Sequence, residues 1–253
     1  MGSRLNRLLA LWSAYPSRFW LLFAGVFFSV SSSSFIWPFT TIFIAEQTQS
    51  SLTLTTLMFS VEACASLISV GRTSKMMDLY GRKVIMITGL VLQAGNLLLM
   101  TQATSIGSWL VLMAVMGVIS PLFSIGGNAM VADLIPNHQR AQAYALLRMA
   151  INLGVVTGPL IGGWIIAEHS FQTAFWTAAS LLLLLAGLAH WLLQETRPEV
   201  KKDTPRSNQG VWKDRHFITI LLFYTFSVMG FIEMFILMPI YLKQNFQILE
   251  NQS

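Results

Sequence analysis

The run SKMMDLYGRKVIM, residues 74–86, is the most highly charged short stretch in a chain that otherwise avoids charge. It gathers Lys75, Asp78, Arg82 and Lys83 around Gly81, with long apolar runs on both sides. Hydrophobic residues make up 54% of the 253 and charged residues 11%, and mean hydropathy is +0.60. A soluble domain carries about a quarter charged residues. So little polar surface cannot coat a water-soluble core, and the composition is that of an integral membrane protein. Cys64 stands alone, so the chain holds no internal disulfide framework. The apolar run from Phe19 to Ile44, preceded by Arg4, Arg7 and Arg18, is too long for a signal core and lacks a cleavage site.

A bilayer core takes about 20 mainly apolar residues per helix. That length predicts seven spans: 19–44, 52–76, 83–103, 106–132, 141–167, 171–194 and 217–242. The intervening stretch 195–216, ETRPEVKKDTPRSNQGVWKDRH, is polar and reads as a linker. The net charge is +5 with a pI near 9.6, which raises the question of nucleic acid. The positions of the bases answer it. With the N-terminus cytoplasmic, every Lys and Arg except Lys243 falls on the inner side, as the positive-inside rule demands. The bases are dispersed over loops between spans, so no nucleic-acid partner is expected, and the N-in orientation also opposes a seven-helix receptor.

Residues 74–86 then join the second and third spans on the inner side. Four basic residues alone would serve as an orientation signal, but that leaves Asp78 and Gly81 unexplained. A carboxylate three residues before a Gly-Arg-Lys turn either caps the next helix or pairs with a guanidinium, and Gly lets the chain reverse. In the fifth span, GVVTGPLIGG sets Gly154, Gly158 and Gly162 on one helix face, with Gly163 beside them and Pro159 within. Small residues at steps of four admit a neighbouring helix closely, and Pro removes a backbone donor.

These two stretches together resemble the major facilitator superfamily. Asp78, Gly81, Arg82 and Lys83 fall on its loop signature, while Ser74 and Leu79 depart from it. GVVTGPLIGG resembles the fifth-helix motif found mainly in its proton-antiport exporters, with Ala145 departing upstream. A third signature, an Arg in the fourth helix, is missing: aligned on Gly117, its position holds Met113. The resemblance implies an all-α membrane fold, with a six-helix bundle of two inverted three-helix repeats followed by a seventh helix. It implies that Asp78, Arg82 and Asp133 form an inner-face latch that stabilises the outward-open state. It also implies a secondary transporter, not an enzyme, exporting small amphipathic or drug-like compounds across the plasma membrane in exchange for protons.

Two carboxylates lie where charge is costly, roughly 2.5–3.5 kcal/mol at mid-bilayer. They are Glu62 in the second span and Glu233 in the seventh, each read as a proton carrier or cation counter-charge, or else as a packing group. Trp37, beside Pro38 after the serine run SVSSSS, offers a flat wall for an apolar ligand, and Asn128 with Gln93, Asn96 and Asn152 can line an aqueous path or bridge helices. The expected partners are the lipid bilayer, a small-molecule substrate and a proton; nothing in the residues sets an oligomeric state. No metal-ligand cluster or cofactor motif occurs in the sequence, so no metal or cofactor is expected. The expected organisation is a bundle over 1–194, a cytoplasmic linker over 195–216, and the start of a second half over 217–253. Superfamily members typically have two such halves, so the chain is expected to be truncated. A non-transporting remnant, or a membrane partner of a full-length transporter, is the alternative.

Overall fold

The structure is a computed structural model that describes residues 13–196 and 214–227. The chain divides into two compact units, Met1–Pro198 and Glu199–Ser253. The first is built from α1 (Ser17–Ser34), α2 (Trp37–Thr48), α3 (Leu52–Tyr80), α4 (Arg82–Met100), α5 (Ile106–Leu134), α6 (Asn137–Glu168) and α7 (Phe171–Leu192). In the second, residues 215–227 form a helix, α8; the rest of the expected seventh span, with Glu233, lies outside the described residues. Among the described residues six stretches are long and apolar enough to cross a membrane, α1 and α2 together making the first.

Two expectations change. The first span is not one helix but two, broken at Phe35 and Ile36. Pro38 has no N–H to give the Ser34 carbonyl, and its ring would crowd that carbonyl. The serines before the break strain the ladder further, since Ser32 and Ser33 donate to the carbonyls of Phe28 and Ser29. The charged stretch, in turn, is not a loop. Helix α3 runs on through Asp78 to Tyr80, α4 starts at Arg82, and Gly81 alone makes the reversal at φ +97°, a backbone region that favours glycine.

Serines begin three of the other helices. Ser51, Ser105 and Ser170 each accept from the backbone N–H three residues on, capping α3, α5 and α7. Packing follows an internal exchange. Helix α3 packs chiefly on α5 and α1 on α6, while α4 meets α5 and α7, and α1 meets α7. Swapping the first three spans for the last three maps this set of pairs onto itself. Three is odd, so the repeats traverse the bundle in opposite senses, which makes them inverted repeats.

Trp109, Phe19 and Phe175 are fully buried in the core, and Phe43 brings α2, α5 and α7 together with ring centroids 5.9, 5.1 and 5.4 Å from Trp109, Phe171 and Phe175. The exterior is as apolar as the interior: Leu67 is 77%, Leu160 70% and Trp191 85% exposed. Such a perimeter suits hydrocarbon, where helices satisfy their backbone groups internally.

Candidate functional site

Glu62 projects from the middle of α3 into a cleft of about 230 Å³ between α1, α3, α5 and α6. Ser29, Ser33, Trp37, Gln93 and Asn128 share its walls with apolar side chains, and among the described residues no Lys or Arg lines it. A second, smaller cavity toward α7 also includes Ser33, Trp37, Glu62 and Met116, so Glu62 stands where the two meet. Trp37 opens α2 directly after the break at Phe35 and Ile36 and lines this wall. Trp37 packs edge-on to Phe59 of α3 with centroids 6.0 Å apart, and Gln93 donates to the Ser33 hydroxyl at 2.9 Å. Asn128 reaches the cleft from α5, its backbone carbonyl accepting from the Tyr144 hydroxyl at 3.1 Å.

The glycine face of α6 is occupied by α1. A Cβ on Gly154 would come within 3.0 Å of the Phe27 carbonyl oxygen, and on Gly158 within 2.7 Å of that of Ser31; on Gly162 it would collide with the Phe35 carbonyl. Gly163 faces the Phe39 ring. Between those glycines the Ser31 and Thr157 hydroxyls meet at 3.2 Å. Helix α6 continues through Pro159 without interruption.

At the far end of α3, the Arg82 guanidinium donates to the Asp133 carboxylate and to the Ala129 carbonyl near the end of α5. Asp78 and Glu195 lie close enough to act on it electrostatically. The structure thus brings Asp78, Arg82 and Asp133 together. The first turn of α4 is capped by Glu195, whose carboxylate accepts from the backbone N–H groups of Arg82 at 2.8 Å and Lys83 at 3.2 Å. Lys83 Nζ donates to the His190 carbonyl at 2.6 Å, tying α4 to the end of α7.

This arrangement matches a known family. A profile of the Major Facilitator Superfamily aligns with residues 22–249. The chain belongs to the major facilitator superfamily. Curated relatives include multidrug resistance protein MdtH of Yersinia pestis (strain Pestoides F) and of Yersinia pseudotuberculosis serotype O:1b, each 31% identical over 170 residues. That match takes in 66% of this chain and 42% of theirs. Among solved structures, the human organic anion transporter MFSD10 (TETRAN) superposes with a TM-score of 0.60 at 18% identity, over 72% of this chain and 49% of that one, a likeness of fold. Members of the superfamily are transporters and not enzymes.

Within that family fold, Met113 lines the smaller cavity together with Glu62. The ionisable group here therefore comes from α3, while the α5 position is apolar. The residue missed by sequence reading is Glu195, placed in the linker by its polar surroundings. Its signal was its position: a carboxylate just past the end of one span, at the depth where another helix begins and its first N–H groups need acceptors.

Proposed function

We propose that this chain carries the N-terminal bundle (1–194), the linker (195–216) and the start of the second half (217–253) of a secondary transporter. That transporter exports small cationic amphipathic, drug-like compounds from the cell by alternating access in exchange for protons. The observation that carries the reading is the Glu62 cleft: one carboxylate, hydroxyls and amides from α1, α4 and α5 set among aromatic and apolar side chains, and no base among the described residues. An apolar cleft with a few convergent polar groups is the common form of a small-molecule site. A lone acid in such a cleft is neutralised either by a proton or by a cation. Competition between the two at Glu62 is a means of exchange, since binding one expels the other.

The multidrug resistance names of the curated relatives support the substrate class. The charge bias supports a cytoplasmic N-terminus, and export from the cell would require the plasma membrane. Arg82, Asp133 and Asp78 then act at the inner face as a latch, closed in the outward-open state. The glycine face of α6 holds α1 and with it the Ser29–Ser33 wall of the cleft.

The test is efflux of a fluorescent lipophilic cation from cells expressing this 253-residue chain joined to the remaining second half of a full-length relative, with and without a proton uncoupler. Uncoupler-sensitive efflux that Glu62→Gln abolishes is the expected result. No efflux, with the protein present in the membrane, would leave the alternative of a non-transporting membrane partner.

A further inference from the structure

The sequence assigns the turn at Gly81 to a local pair, but the structure supplies its key carboxylate from 113 residues away. Helix α4 begins directly after Gly81 with no side-chain cap of its own. The N–H groups of Arg82 and Lys83 are in the first turn, where no intrahelical acceptor exists. Both point at Glu195: Oε1 accepts from Arg82 and Oε2 from Lys83, and Oε1 also accepts from the N–H of Thr196 at 3.0 Å. Each oxygen is used, and an amide in the same pose would turn its NH2 group toward one of the two helix donors. Its charge further suits the positive end of the helix dipole. Glycine at 81 is needed because φ is +97°, and a Cβ there would also push the Glu195 carboxylate away from its two donors.

We propose that Glu195 is a positioning residue of the latch: it fixes the first turn of α4 and thereby sets where the Arg82 side chain reaches Asp133. This rests on the latch reading given above. Arg82 is the first residue of α4, so any fraying of that turn moves its Cα and swings the guanidinium off Asp133 and the Ala129 carbonyl. The Lys83–His190 bond anchors the same turn to the end of α7, which makes Glu195 and His190 a two-point clamp. Glu195 is also where the chain passes from α7 into the charged stretch that follows.

The experiment is hydrogen exchange at the Arg82 and Lys83 amides of the whole chain in lipid nanodiscs. It is paired with thiol labelling of Ala129→Cys in a Cys64→Ser background as a report on the Arg82 contact. Glu195→Ala is expected to speed exchange at both amides about two- to thirtyfold, and Glu195→Gln to speed one more than the other, having one acceptor oxygen. Gly81→Ala should do the same as Glu195→Ala with the carboxylate still present. Labelling at position 129 should rise in the Glu195 variants as it does in Arg82→Ala, while amides in the middle of α7 keep their protection. Unchanged exchange at Arg82 and Lys83 in Glu195→Ala would overturn the cap. Faster exchange with unchanged labelling would overturn the positioning role and leave a cap alone. Neither readout depends on transport, so failure of the latch as a functional device would register separately, as normal flux in Arg82→Ala.

Discussion

Arg82 and Asp133, 51 residues apart, are joined by an ion pair that links the first residue of α4 to the last turn of α5. Their side chains are only 11% and 21% exposed, and Arg82 also donates to the Ala129 carbonyl. A hydrogen bond to a charged group contributes about 1.5–3 kcal/mol when its partner would otherwise be left unsatisfied. Arg82→Ala should therefore lower the stability of the purified chain by about 1–3 kcal/mol, read from its unfolding midpoint in detergent. In a transporter with both halves, the same change should impair flux more than substrate affinity. Equal losses in separately measured binding and flux would rule out a latch.

Glu62→Gln removes the carboxylate that lines the cleft while keeping its shape. Affinity for a lipophilic monocation, measured by tryptophan quenching or calorimetry, should fall about tenfold or more, given the strength of charge-assisted contacts. Binding should also lose its dependence on pH, because no other carboxylate among the described residues lines the cleft. Retained affinity and pH response would make Glu62 a packing residue.

The α1–α6 contact allows no side chain at Gly162. Gly162→Ala forces a methyl into the Phe35 carbonyl and should cost about 1–3 kcal/mol as an overpacked contact. Gly187, in α7, has open space around a built Cβ. Gly187→Ala should leave stability equal or raise it by up to about 1 kcal/mol through helix propensity. Thermal unfolding of the two variants side by side checks both, and similar costs would contradict the packing.

Pro38→Ala restores an N–H facing the Ser34 carbonyl and should let α1 and α2 join into a straighter helix. Spin labels on the outward faces of the two helices would report a longer separation. Trp37 would leave the cleft wall, and cation binding should weaken in step. An unchanged distance would place the cause of the break in the serine run.

Much of this was legible in the chain because it follows from local rules. Span length and apolarity set the six crossings of the bundle, and the spacing of Gly154, Gly158 and Gly162 marked a face for close approach. The one-residue turn at Gly81 was hidden because charge looks like a loop, whereas Lys75 and Asp78 lie on the unbroken helix α3. The break after Ser34 was hidden because hydropathy does not register a missing N–H.

By itself, then, the sequence determined the apolar spans, the clustering of charge between them and the family, all of which depend on solvent preference and motif residue by residue. Tertiary structure alone decided that Glu195 caps α4, and that Trp37, Ser33 and Glu62 share one cleft. Those pairings join residues up to 113 positions apart. They exist because helices pack where small residues permit and because each buried donor or charge takes the partner that packing brings within reach.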